Sequence, residues 1–121
     1  MLLQIAERHI EPDLTVLELA GRLALGRESQ RIENLVDEFV KKSDLRVILD
    51  LTKVDYIDSA GIGLLALATG KMKRAGGKLA VVAGPGKVLD MLNLTQMTAV
   101  VTVRGTVAEA ELTFGESSAE V

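Results

Sequence analysis

The sequence predicts an α/β fold: a single domain with a mixed β-sheet packed against about four α-helices, in the order β-β-α-β-α-β-α-β-α. Three observations carry that expectation. Apolar runs of strand length alternate with stretches of helical period, which is the pattern of strands joined by right-handed helical crossovers. Glycine and proline clusters stop the elements, at Gly76–Gly77 and Gly84–Pro85–Gly86. The first two strand-like runs have no helix between them, so a hairpin opens the sheet and makes it mixed.

The elements follow in order. "LLQIAERHI" alternates loosely and reads as a strand. "EPD" at Glu11–Asp13 is a turn signal, with Pro12 presetting φ. "LTVLELAG" is the second strand, ending at Gly21. "RESQRIENLVDEFVKK" is a helix: Ile32, Leu35, Val36, Phe39 and Val40 form one apolar stripe. Glu28, Glu33, Asp37 and Glu38 lie off it, and Lys41 and Lys42 close the helix where cations suit its dipole. "RVILDL", Arg46 to Leu51, is a strand buried on both faces, followed by a loop, "TKVDYID". The next helix runs from about Ser59 to Ala75, with Lys71, Lys73 and Arg74 before its glycine stop. "KLAVVA" is another buried strand, "KVLDMLNL" a short helix and "AVVTV" the last strand. "TVAEAELTF" opens with Thr106 and carries Glu109 three residues on, a capping-box pattern. The expected domain spans residues 1–115, with a flexible polar tail over 116–121.

Composition narrows the function. A chain of 121 residues suits one core, and at 48% hydrophobic residues it has the material to build it. Aromatics are only 2%, so the core is aliphatic and no base-stacking platform is available. The net charge of −3 and the lack of a Lys/Arg block argue against direct nucleic-acid binding. Without cysteine there are no disulfides, thiol catalysis or thiolate metal sites. The N-terminus lacks the apolar region of a signal peptide, and the longest apolar run, Ile62 to Ala68, is far short of a membrane span. A cytoplasmic protein without a cofactor is expected.

The richest stretch is "DYIDSAGIGLL", Asp55 to Leu65. Ser59 is not in a G-x-S-x-G elbow, and the only histidine, His9, is on the first strand as an ordinary edge residue. A serine hydrolase is therefore not expected. One histidine and no cysteine leave only carboxylates for a metal, and Glu33, Asp37 and Glu38 read as a solvated helix face. Gly61-Ile62-Gly63-Leu64-Leu65-Ala66 matches G-x-G-x-x-A. Two things oppose a dinucleotide site: "TKVDYIDSA" separates Leu51 from Gly61, and "KLAVVAG" ends without a ribose-binding acid.

Asp58 or Ser59 caps the helix. That leaves Gly61 and Gly63, each costing about 1 kcal/mol against Ala inside a helix, to be explained by a close approach of backbone or partner. The helix also spreads Ile62, Leu64, Leu65, Leu67, Ala68 and Met72 around most of its circumference. Either a neighbouring helix covers the second side, or an apolar patch lies open beside Ser59.

At these residues the chain resembles a known family. "DYIDSAGIGLLALATGKMKRAGGKLAVVAG" is similar to the central segment of STAS domains, specifically bacterial anti-sigma factor antagonists. The family's D-S-x-G-[LI]-G motif stands as Asp58-Ser59-Ala60-Gly61-Ile62-Gly63, and "GGKLAVVAGPGKVLDMLNLTQM" matches the strand and short helix that follow.

The resemblance implies a protein that binds an anti-sigma factor with serine kinase activity, freeing a sigma factor. Phosphorylation at Ser59 would break the complex, and a serine phosphatase would reset it. Asp58, Ser59, Ala60, Gly61, Ile62 and Gly63 are the implied partner-binding residues. Many relatives carry a second hydroxyl where this chain has Ala60, and an acid in a G-[ER]-[LI]-D pattern where it has Gly21-Arg22-Leu23-Ala24. The alternatives are a phosphorylation-independent STAS scaffold or adaptor, in a signalling complex or as a lipid-transport component, and more remotely a nucleotide-binding domain.

Overall fold

A computed structural model describes residues 3–10 and 13–119. The elements are β1 (Gln4–Ile10), β2 (Leu14–Leu23), α1 (Arg27–Lys41), β3 (Arg46–Ile57), α2 (Ser59–Arg74), β4 (Lys78–Val82), α3 (Lys87–Leu94), a 3-10 turn (Met97–Ala99), β5 (Thr102–Arg104) and α4 (Val107–Ala119). This is the predicted order. Residues 11 and 12 of the expected Glu11–Asp13 turn lie outside the described residues.

One five-stranded sheet runs β1-β2-β3-β4-β5 in sequence order. β1 is antiparallel to β2, with Gln4 opposite Ala20 and Ile10 opposite Leu14. The other three pairs are parallel. Strands added always on the same side, through crossovers of one hand, place their connecting helices on one face. Accordingly α1, α2 and α3 share a core with Leu17, Leu19, Val47, Leu49 and Val81. Only α4 crosses to the opposite face, where Ala110 and Phe114 pack on Leu14, Val16, Ile48, Ala80 and Val82. Val47, Ile48 and Leu49 are each fully buried, as the two-sided apolar run predicts.

Three boundaries correct the sequence reading. The expected loop "TKVDYID" is strand: β3 runs on to Ile57 and pairs with Ala20–Leu23 at the end of β2. Its buried residues there are Leu51, Val54 and Ile57, spaced by three rather than two. Register shifts between Glu18 and Ala20 and between Gly21 and Arg22 cause that spacing, with Gly21 at φ 106. Bulges of this kind let two residues on one strand oppose one on the other, and they erase the two-residue period.

The last strand is Thr102–Arg104 rather than Ala99–Val103. The preceding apolar residues instead form the 3-10 turn, which buries Met97, and a bend that buries Val101. Gln96, at φ 59, starts that turn. Finally, α4 is capped by Thr106, whose Oγ1 accepts the Glu109 amide at 3.1 Å, and it extends past Phe114 to Ala119.

On α1, Ile32, Val36 and Phe39 are buried, with Leu35 and Val40 packed at the edge of the core. Glu33 and Asp37 are not simply solvated. Lys71 of α2 donates to Asp37 Oδ1 at 2.9 Å and Glu33 Oε1 at 3.2 Å, which ties the two helices together. The hydrogen bond it donates to Asp37 leads the causes that hold the Lys71 ammonium above its ordinary pKa of 10.5.

Candidate functional site

The site is the start of α2. Asp58 is extended at φ −111 and ψ −175, and its Oδ1 accepts the Gly61 amide at 2.9 Å. Its own amide donates to the carbonyl of Leu23 at 3.3 Å, and its carbonyl accepts the first helical bond, from Ile62, at 3.0 Å. Asp58 is therefore the cap, and Ser59 is the first helical residue. Ser59 is exposed, and its hydroxyl makes no hydrogen bond among the described residues. Ala60 beside it is exposed too, so Ser59 carries the only hydroxyl of that turn.

The two glycines have different causes. A β-carbon on Gly61 would overlap the carbonyl oxygen of Leu23 and stand 2.9 Å from Ile57 Cγ1. Gly61 is buried and lets the helix start seat on the end of β2. A β-carbon on Gly63 would meet nothing within 4 Å, and Gly63 is exposed. The fold thus accounts for Gly61 and leaves Gly63 as open surface. Of the six motif residues, Ser59, Ala60 and Gly63 face outward, Asp58 and Ile62 are half-buried and Gly61 faces the sheet.

The apolar spread of α2 divides in a similar way. Leu64, Leu65, Ala68 and Met72 are buried, and α1 lies alongside. Leu67 remains 40% exposed and Leu25, just before α1, is 84% exposed. With Ala60, Gly63 and Leu64 these leucines line a groove of about 190 Å³ between the starts of α1 and α2. On the other flank, the Arg22 guanidinium lies 4.0 Å from the ring centroid of Tyr56, at the tips of β2 and β3. Sequence reasoning named Leu67 among the residues of an open apolar patch beside Ser59 but missed Leu25 and this pair. The one available signal was an apolar residue left in the turn before a helix.

His9 pairs with Thr15 at the start of β2, and Thr15 is level with Val47, ten residues before Ile57 along β3. At about 3.3 Å per strand residue, His9 is roughly 30 Å from Ser59, far beyond proton-transfer reach. His9 instead bonds Glu7 at 2.8 Å and Thr15 at 3.2 Å. Glu33 and Asp37 are held by Lys71, and no cluster of three metal-ligating side chains occurs among the described residues.

Loop length does not speak against a dinucleotide site, because β3 leads into α2 through Asp58 alone. The remaining grounds do: β4 ends without an acid, and Gly61 serves the Leu23 contact. A separate cleft of about 400 Å³ lies at the ends of β3 and β4, between Thr52, Asp55, Pro85 and Lys87. No helix among the described residues is long and apolar enough to cross a membrane.

Comparisons with known proteins agree with this architecture. The sequence model of the STAS domain matches residues 6–110. A Thermotoga maritima protein provisionally named an anti-sigma factor antagonist is 32% identical over 74 residues, which is 61% of this chain and 66% of the relative. The match thus spans just under two thirds of that relative's length. A crystal structure of a Thermotoga maritima protein of the same provisional name superposes with a TM-score of 0.79 at 26% identity, covering 88% of this chain and 91% of that one. The phosphorylated form of SpoIIAA, a Bacillus cell-fate determinant, superposes with a TM-score of 0.68 at 14% identity, over 88% and 96% of the two chains. At that identity the likeness is one of fold.

Proposed function

Because the chain belongs to the STAS domain family, we propose that it is an anti-sigma factor antagonist switched by phosphorylation at Ser59. Unphosphorylated, it binds an anti-sigma factor that is also a serine kinase and so frees a sigma factor. The kinase phosphorylates Ser59 and the complex separates; a serine phosphatase restores the binding form. The protein acts in the cytoplasm, by association rather than turnover. Residues 1–115 form the working domain, and α4 continues beyond it to Ala119. The contact centres on Asp58 to Gly63, with Gly61 contributing by seating the helix, and extends to Leu25 and Leu67.

The observation that carries this reading is the placement of Ser59: exposed, unbonded, first in α2 and beside the capping carboxylate of Asp58. A helix start tolerates an added anion, because its first amides are free and its dipole is positive there. Phosphoserine brings a charge of about −1.5 to −2 at neutral pH. Asp58 opposes it, but the cap and the seat on Leu23 do not involve the serine side chain. The phosphate therefore acts on the interface and leaves the fold intact. Charge and bulk placed where a partner docks can cost about 3 kcal/mol, roughly a hundredfold in affinity.

The test is a pull-down from the native host with wild type, Ser59→Ala and Ser59→Asp side by side. Wild type and Ser59→Ala should retain an anti-sigma factor that Ser59→Asp loses, and Ser59→Ala should resist phosphorylation. Retention by all three would assign the domain to phosphate-insensitive scaffolding instead.

A further inference from the structure

We propose that a notch beside the first residues of β4 binds a small tetrahedral dianion: free phosphate or the phosphate of a compact phosphomonoester. β4 begins at Lys78, but β5 pairs with it only from the Ala80–Thr102 rung onward. The shortfall opens a cavity of about 270 Å³ at the sheet edge, between α2 on one face and α4 on the other. Thr69 and Lys73 reach it from α2, Lys78 from β4, Thr102 from β5 and Thr113 from α4.

The lining has the chemistry of an anion site. Lys73 and Lys78 make no ion pair among the described residues, whereas Lys71, two residues before Lys73, is engaged by Glu33 and Asp37. No acidic side chain is among the residues lining the notch. The Thr69 hydroxyl is buried, with less than 1 Å² exposed, and has no hydrogen-bond partner among the described residues. A hydroxyl within a helix ordinarily bonds back to the carbonyl four residues earlier, and this one does not. The Thr102 hydroxyl is also unbonded among the described residues. Thr113 is committed, accepting from Arg104 Nε at 2.8 Å and donating to the Glu109 carbonyl at 3.1 Å, and it closes the wall.

Two ammonium groups and two free hydroxyls thus line one cavity that no acidic side chain lines. Two positive charges match a dianion better than a monocarboxylate. The volume lies below the range of about 300–1,000 Å³ that holds drug-sized ligands, so the occupant is no larger than a small phosphate ester. Thr69 is ten residues along α2 from Ser59, about 15 Å at helical rise. The notch is thus separate from the proposed partner surface, although one helix carries residues of both.

The test is a titration of the ¹⁵N-labelled full chain with inorganic phosphate at constant ionic strength, followed by NMR. Amides at Thr69, Lys73, Lys78 and Thr102 should shift saturably. The Lys73→Gln/Lys78→Gln double variant should bind at least tenfold more weakly with an unchanged thermal transition, and Thr69→Val several-fold more weakly. Should Thr69→Val not fold, the lysine variant carries the test alone. A parallel titration with glycerol phosphate separates the sources: tighter binding than phosphate assigns a monoester, and equal or weaker binding assigns free phosphate. Non-saturating shifts, shifts unchanged in the double variant, or shifts centred on Ser59 or on Gly86 and Lys87 would overturn the proposal.

Discussion

Gly61 and Leu23 are in direct contact, and no side chain fits between them: a β-carbon at position 61 would overlap the Leu23 carbonyl oxygen. That carbonyl also accepts the Asp58 amide, so one peptide group at the end of β2 both anchors the cap and limits the helix that follows. The turn that presents Ser59 is thus fixed to the end of β2 at both Asp58 and Gly61.

Gly61→Ala should therefore destabilise the domain by about 2–3 kcal/mol, the cost of overpacking against backbone that cannot move aside. Gly63→Ala, with open space around it, should stabilise by about 0.5–1 kcal/mol through helix propensity. Urea denaturation of the two variants checks both signs. Equal effects would remove the distinction between a glycine required by the fold and one left as surface.

The cap and the modified residue separate in the same way. Asp58→Ala removes the bond to the Gly61 amide and should cost about 1 kcal/mol. Ser59→Ala loses no hydrogen bond and should change stability by less than about 0.5 kcal/mol. Thermal unfolding of the pair decides whether Asp58 alone holds the turn.

Lys71 links α1 to α2, and its ammonium is held above 10.5 by its hydrogen bond to Asp37 and then by Glu33, against some desolvation. A group whose pKa is raised by folding contributes stability that is complete below its unfolded value. That contribution is lost as pH rises through the folded value. Wild type should thus lose about 1 kcal/mol above pH 10.5 that Lys71→Met does not lose over the same range. Parallel denaturation series at pH 9 and pH 11.5 measure the difference.

Leu25 is 84% exposed and is joined by Leu67 along the groove beside Ser59. Leu25→Ala should leave stability within about 0.5 kcal/mol of wild type. Binding to the anti-sigma factor should weaken about tenfold or more, as expected for an apolar anchor in a contact of this kind. Calorimetric titration with the partner reads the second effect and a thermal scan the first.

Much of this architecture is legible in the sequence: α1 carries a clear apolar stripe, Gly76–Gly77 stops α2, and Gly84–Pro85–Gly86 separates β4 from α3. The second half of β3 is not. Its extra residues are set by pairing with β2, opposite Glu18–Ala20 and Gly21–Arg22, and they turn a two-residue period into Leu51, Val54, Ile57. The reason for Gly61 is hidden in the same way, since the atom that excludes a side chain belongs to Leu23, thirty-eight positions earlier. Glu33 and Asp37 look solvated until α2 brings Lys71 across. The sequence leaves the cap open between Asp58 and Ser59, and the structure assigns it to Asp58, which leaves Ser59 the one hydroxyl of the turn. Which neighbours flank it, Leu25, Leu67 and the Arg22–Tyr56 pair, depends on how β2, α1 and α2 converge.

The central claim is that a phosphate on Ser59 acts on an interface and not on the fold. The most direct measurement is the affinity of the host's anti-sigma factor for the chain before and after stoichiometric phosphorylation at Ser59, with thermal transitions recorded on the same samples. The account predicts an affinity roughly a hundredfold lower for the phosphorylated form, about 3 kcal/mol, and a preserved cooperative transition. Equal affinities, or a phosphorylated form without a thermal transition, would contradict it.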